Sequence, residues 1–396
     1  MSTVQQATRR VWWQAAAALA LLGIGEAVAQ AIRGVRFTDH TDYPGVAAAS
    51  RLLSSGSRCV YCLPTEAHAQ TQLLGHPPDI GVMPFANPPL AAWLLQPVAA
   101  LPLHTGAAVF LAISLVALAV AAVLLGRLLP ALPAGRRLLL SVAAATLAPG
   151  LAAFTYVQWG PLLLLAAAGA VVLAARGEGL ACGALLSLLL IKPQVVWLVV
   201  PALLLSGRWR TVAAMVPGAL VWAGTTLAIV GVGGLGEWYR SNVQLDVGDS
   251  VKTAGLPGLL VQVTGHPGVS FPAAVVCGVG AVALLWRCRH RLRADPALAV
   301  ATGLALSLLA APHVFGADLM LLAPLVVLVA RRRPEAAIGA MAGLAAVTLA
   351  GGDVPGAAIH ALGLGMILAT VAAALARPPA RAPVVRGTPR TLVTSA

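Results

Sequence analysis

The chain has 396 residues, 59% of them hydrophobic and only 10% charged. Soluble domains carry about a quarter charged residues, so a water-soluble globular fold is excluded. A formal charge of +13 would suit nucleic acid, but the arginines fall as short clusters between apolar runs and form no continuous basic face.

Apolar runs of about 15–25 residues recur from end to end, the pattern of membrane-spanning helices. The alternating strands of an outer-membrane barrel are absent. The expected class is an all-α polytopic membrane protein. The first run, 11–32, follows Arg9-Arg10 but is too long for a signal peptide and lacks a small-residue cleavage site, so it reads as a retained span. Further spans are expected near 106–126, 138–153, 158–175, 179–191, 194–206, 211–232, 271–286, 296–312, 318–330, 336–351 and 356–376. That makes about twelve, with 179–191 and 194–206 short enough to form a broken re-entrant pair.

Placing arginine-rich ends in the cytoplasm puts 19 of the 26 basic residues inside and both termini inside. Two long outer loops then follow, Arg33 to Thr105 and Gly233 to Ser270. Within the first, "FANPPLAAWLLQPVAALP" (85–102) is almost long enough to span. Counting it as a span would invert the arginine pattern downstream. It therefore reads as a half-buried interfacial helix with Pro88 and Pro89 in its first turn. Residues 1–376 read as one transmembrane domain. The tail 377–396, Pro- and Arg-rich without an apolar period, is expected to be disordered beside anionic headgroups.

Only 13 acids occur, and this scarcity makes each informative. Asp39, Asp42, Glu66, Asp79, Glu237, Asp246, Asp249, Asp318 and Asp353 fall in or beside outer loops, and Glu26 lies near the outer end of the first span. Glu178, Asp295 and Glu335 alone face the cytoplasm. Any chemistry is expected outside.

The order of features in the first loop carries a resemblance. Asp42-Tyr43 is followed by "GVAAASRLL" and Gly56, then "VYCLPTEAHAQTQLLG", then "PFANPPLAAWLLQPVAALP" and a span. Further on come "YVQWGPLLLL" (156–165), "LLIKPQ" (189–194), "WRTVAAMVPG" (209–218) and "APHVFGADLMLLAP" (311–324). Over about residues 35–330 this resembles the polyprenyl-phosphate-sugar-dependent glycosyltransferases of the GT-C fold, most closely family 87. Tyr43 stands where that family usually has Phe, and the Cys59-x-x-Cys62 pair has no usual counterpart there. The resemblance implies transfer of one hexose, most simply mannose, from a polyprenyl-phosphate donor to a glycolipid or envelope-glycan acceptor. It also implies inversion at the anomeric carbon, an extracytoplasmic site in the plasma membrane, and no obligatory cofactor or metal.

The chemistry itself sets the residue types. A prenyl phosphate is already a good leaving group, so the reaction needs a carboxylate to take the acceptor hydroxyl proton. It also needs donors or positive charge for the departing phosphate. Asp42 is the expected base, with Asp39 as the alternative; helix capping is the structural alternative for Asp42. Lys192 beside Pro193, His313, Arg240 and Lys252 are candidates for the phosphate, and each could equally be an ordinary interfacial side chain. Tyr43, Asn87, Gln158 and Trp159 are candidates for sugar or acceptor, with Asp318 as an orienting partner for His313; Trp159 as an interfacial anchor and Asn87 as a helix cap are the plain alternatives. His40, His68 and His76 lie near Asp39 and Glu66 in a spacing that fits no standard metal pattern. Cys59 and Cys62, outside, could pair or stay free. A secondary transporter or lipid flippase is the alternative reading, although the halves show no internal repeat.

Overall fold

The computed structural model describes residues 3–249, 254–350 and 356–376. Lys252, Asp353 and the basic tail, all singled out above, lie outside the described residues. Every regular element among those described is helical. In chain order they are α1 (Thr3–Arg36), α2 (Tyr43–Ser54), α3 (Leu63–Leu74), α4 (Pro89–Leu94), α5 (Gln96–Ala99), α6 (Leu103–Gly126), α7 (Ala134–Ala145), α8 (Ala152–Thr155), α9 (Gly160–Ala175) and α10 (Gly179–Leu188). They continue with α11 (Val199–Leu205), α12 (Trp209–Asp249), α13 (Leu256–Thr264), α14 (Ser270–Arg287), α15 (Arg289–Ala294), α16 (Pro296–Ala310), α17 (Ala323–Ala330), α18 (Pro334–Ala350) and α19 (Gly356–Leu375).

Four stretches are long and apolar enough to cross a bilayer: Arg10–Arg36, Leu103–Gly126, Trp209–Ser241 and Pro267–Arg287. Shorter apolar helices such as Gly160–Ala175 and Pro296–Ala310 pack among them. The chain is an all-α polytopic membrane protein. α9 and α16 lie at its centre, apolar all round and buried along most of their length. Their many Ala and Gly residues let neighbouring helices approach closely, which is how helices associate where the hydrophobic effect is weak.

Several expected spans are not continuous helices. The stretch expected at 138–153 is α7 followed by a 3-10 turn, Ala148–Leu151. The one at 194–206 is a 3-10 turn, Pro193–Val195, leading to the seven-residue α11. The one at 318–330 opens with a 3-10 turn, Gly316–Leu322. Proline supplies one cause: Lys192, just before Pro193, is forced out of the helical region to φ −129°, ψ 79°. Non-helical backbone at membrane depth is tolerated only where protein covers it or it lines a cavity. Here the breaks lie together, with Ala148–Leu151 packed on Gly316–Leu322 and α9 packed on both Leu189–Ile191 and Gly316–Leu322.

The segment 85–102 forms two short helices, α4 of six residues and α5 of four. They are too short to cross roughly 30 Å of hydrocarbon. Trp93 and Leu94 remain exposed on their surface, and α2 covers the other side. The single interfacial helix expected there is thus broken between Leu94 and Gln96. The second outer loop also differs from expectation. α12 kinks at Gly231, where φ is 68°, then runs on as a helical arm that touches α4. At the opposite end, Asp295 caps α16 by accepting from Leu298 N at 3.2 Å and binds Arg331 at 2.6 Å, tying the start of α16 to the end of α17.

Candidate active site

Asp42 sits at the junction between the 3-10 turn Thr38–His40 and α2. It occupies the N-cap position, yet its side chain makes no cap hydrogen bond. Capping therefore does not account for it. Its backbone N–H donates to the Tyr156 carbonyl at 3.1 Å, and its Oδ2 accepts from Gln158 Nε2 at 2.6 Å. Asp42 as a residue is half-buried. Asp39, the alternative base, lies in the preceding turn and is also half-buried.

Gln158 reaches Asp42 because of an unusual turn between α8 and α9. Val157 has φ 54°, the one non-glycine residue in the left-handed region among the described residues. A β-branched residue there is strained by about 1–3 kcal/mol and persists only when its surroundings hold it. Val157 is buried. The turn reverses the chain so that Gln158 faces Asp42 while Trp159 points into an aromatic cluster. Phe110 meets Trp159 edge-on at 5.5 Å and Tyr43 at 6.3 Å. Tyr43 is buried; burial pushes its hydroxyl up to about 12, with Arg51 opposing. That hydroxyl reaches the Val98 carbonyl at 3.4 Å. Tyr43 and Trp159, the chain neighbours of Asp42 and Gln158, thus meet on the Phe110 ring. Gln158 Oε1 is buried and accepts no hydrogen bond.

A second polar pair lies across the neighbouring layer. Lys192 Nζ donates to Asp318 Oδ1 at 2.9 Å, with side-chain exposures of 12% and 1%. Asp318 Oδ2 accepts from Phe315 N at 3.1 Å, which closes the start of the 3-10 turn. Both carboxylate oxygens of Asp318 are therefore engaged. His313 meets Phe315 edge-on at 4.5 Å. The two polar pairs belong to touching segments: a Cβ at Gly160 would stand 3.0 Å from Met320 Sδ and 3.1 Å from the Ala317 carbonyl oxygen. Only glycine allows the start of α9 to sit this close to the turn carrying Asp318.

An apolar cavity of about 540 Å³ opens between α14 and residues 194–197, lined by Gln194, Trp197, Phe271, Gly278, Val282 and Pro312. Its polar end, Gln194, is two residues from Lys192, and Pro312 adjoins His313. Arg240 does not join either pair: it is exposed on the outer arm of α12 and pairs with Glu237. Asn87 is half-buried and its carbonyl accepts from the Tyr61 hydroxyl at 2.8 Å. It does not cap α4, whose N-cap is Pro88. Of the histidines, His68 bonds Gln72 and His76 lies 3.8 Å from Asp79. Among the described residues no three His, Cys, Asp or Glu side chains gather as a metal set. Cys59 and Cys62 form a disulfide.

Sequence reasoning missed two features. Val157 carries no signal for a left-handed backbone, because valine disfavours it. Glu66 reads from sequence only as an outer-loop acid and Gln70 is not singled out, yet both are fully buried. Their i, i+4 spacing on α3 was the available signal.

The profile of glycosyltransferase family 87 matches residues 85–312. That is more than half of the chain, and the chain belongs to this family of glycosyltransferases. Family membership sets aside the transporter reading. The matched residues include Gln158, Trp159 and Lys192, whereas Asp42 and Asp39 precede them. No curated protein and no solved structure matches the chain.

Proposed function

We propose that the protein transfers one hexose, most simply mannose, from a polyprenyl-phosphate donor to a glycolipid or envelope-glycan acceptor on the extracytoplasmic side of the plasma membrane. Asp42 takes the proton from the attacking acceptor hydroxyl as that oxygen bonds to the anomeric carbon and the prenyl phosphate departs, which inverts the centre. The observation that carries this reading is Asp42 itself, a half-buried acidic residue at a helix start, uncommitted to capping and held by the Gln158 amide. A positioned carboxylate of this kind contributes about 10²–10⁴-fold as a general base.

Lys192 and His313 stand on the donor side in this reading. Lys192 spends one donor on Asp318 and has further N–H groups for a phosphate. The apolar cavity beginning at Gln194 and Pro312 offers room for the first prenyl units. Trp159 and Gln158, both buried, stand behind the base in this reading: the Gln158 amide orients Asp42 and Trp159 packs edge-on against Phe110. The disulfide in the first loop accords with an oxidising, extracytoplasmic compartment. The arginine distribution supports cytoplasmic termini.

The test is direct. The purified protein is offered polyprenyl-phosphate mannose, polyprenyl-phosphate glucose or a nucleotide sugar, each with a panel of lipid acceptors. Mass spectrometry should find a gain of one hexose from a polyprenyl-phosphate donor. A gain from the nucleotide sugar alone contradicts the proposal.

A further inference from the structure

Four side chains make five hydrogen bonds to the backbone of residues 83–87, just before α4. Gln70 Nε2 donates to the Met83 carbonyl at 2.8 Å while its Oε1 accepts from Met83 N at 3.1 Å. Glu66 Oε2 accepts from Phe85 N at 3.0 Å. Trp238 Nε1, from the outer arm of α12, donates to the Ala86 carbonyl at 2.8 Å. The Tyr61 hydroxyl donates to the Asn87 carbonyl, and its ring stacks on Phe85 at 6.0 Å. This irregular stretch has no helix or sheet partner, and side chains from α3 and α12 satisfy its backbone instead.

Glu66 and Gln70 are both wholly buried and lie one turn apart on α3, and they hold Phe85 and Met83, two residues apart in the irregular segment. This is an elaborate way to hold five residues. What they hold is pressed on the first turn of α2. A Cβ at Gly45 would lie 2.4 Å from the Met83 carbonyl oxygen, and Gly45 is three residues, about one turn, beyond Asp42. The same carbonyl that accepts from Gln70 is thus seated on the helix whose first residue follows the candidate base. Ser50 Oγ, about a turn and a half further on, donates to the Ala92 carbonyl in α4 at 2.6 Å and ties α2 to the helix that follows the segment.

From this geometry we infer that Glu66 and Gln70 are positioning residues for the transfer step, acting through Met83 and Gly45 on the placement of Asp42. The inference rests on the glycosyltransfer reading above. Neither side chain touches the reacting atoms. Their role is to fix the tilt of α2, and with it the reach of Asp42 to the acceptor hydroxyl. Burial raises the Glu66 carboxyl to about 8, opposed by the Phe85 N–H. This shift favours the neutral acid near pH 7, and Oε1 is buried without a partner, so a glutamine keeps the shape, the neutrality and an acceptor for Phe85 N.

The experiment compares wild type, Glu66→Gln, Glu66→Leu and Gln70→Leu in detergent, with polyprenyl-phosphate mannose as donor and the best acceptor of the panel. Two readouts are taken: kcat and KM for the donor, and amide hydrogen exchange over residues 83–87. The expected result is kcat lowered about tenfold or more in both leucine variants with donor KM changed less than about threefold, since misplacing a base affects the transition state alone. Exchange over 83–87 should quicken in the same variants. Glu66→Gln should keep kcat within about twofold and exchange near wild type. A leucine variant that elutes as aggregate is replaced by the other, because either breaks the clamp. Wild-type transfer with undiminished kcat in the folded leucine variants overturns this inference alone. So does a loss of kcat that Glu66→Gln shares. Absence of hexose transfer by the wild type overturns the glycosyltransfer reading and this inference together.

Discussion

The amide of Gln158 lies 2.6 Å from Oδ2 of Asp42, across 116 positions of sequence. Two residues from unrelated parts of the first loop and the α8–α9 turn are thereby locked into one unit. The amide donates to the carboxylate without adding charge, so it fixes orientation while leaving the carboxylate able to accept a proton. Replacing Gln158 with Ala should lower kcat about tenfold and leave the donor KM nearly unchanged. Replacing it with Glu should be worse, because two carboxylates at that distance cannot both stay ionised. Steady-state kinetics of the two variants check this order, and equal activity of all three proteins contradicts it.

The Lys192–Asp318 pair is buried, so breaking it from one side strands a charge. Asp318→Ala should destabilise the protein by about 3–5 kcal/mol. The double variant Lys192→Met/Asp318→Leu should recover much of that loss, because paired hydrophobic replacements remove both charges. Thermal unfolding in detergent reads stability, and the same samples read transfer. The double variant should regain stability while transfer stays low, if Lys192 also meets the donor phosphate.

Much of the architecture was legible in the sequence because hydropathy and arginine placement follow from the bilayer itself. The helical positions of 11–32, 106–126 and 271–286 emerge as α1, α6 and α14 with small shifts at their ends. What the sequence hid is where helices break. Proline warned of the break at Lys192, but nothing in "SVAAATLAPG" or "APHVFGADL" (141–150, 311–319) shows that their 3-10 turns pack on each other. Asp42, Gln158, Lys192 and Asp318 were each recognisable as scarce polar residues near outer ends. Their pairing, Asp42 with Gln158 and Lys192 with Asp318, arises from tertiary packing that hydropathy does not encode. The sequence instead suggested Asp318 as a partner for His313.

Glu66 gives the fold a pH dependence of defined sign. Its carboxyl is raised from an ordinary 4.5 to about 8 by burial. The folded state thus holds a proton that the unfolded chain releases. Its contribution is fully present below about pH 4.5, declines as pH rises, and is lost above about pH 8. Thermal unfolding from roughly pH 5 to 9 should show wild type losing stability relative to Glu66→Gln, by a few kcal/mol at most. Parallel curves for the two proteins contradict the assignment.

Cys59 and Cys62 form a disulfide in the first loop, while Cys182, Cys277 and Cys288 are free. A membrane-impermeant maleimide applied to intact cells should label Cys59 and Cys62 only after mild reduction. Labelling of these two positions only in broken cells would place the loop in the cytoplasm and reverse the topology.

The central claim is that Asp42 is the base that activates the acceptor. The measurement closest to it is single-turnover hexose transfer from polyprenyl-phosphate mannose by wild type and by Asp42→Asn, which keeps the size and the contact to Gln158 but cannot take a proton. Asp42→Asn should fold normally, bind the donor, and transfer at a rate about 10²–10⁴-fold lower. Transfer by Asp42→Asn at the wild-type rate would contradict the account and shift attention to Asp39.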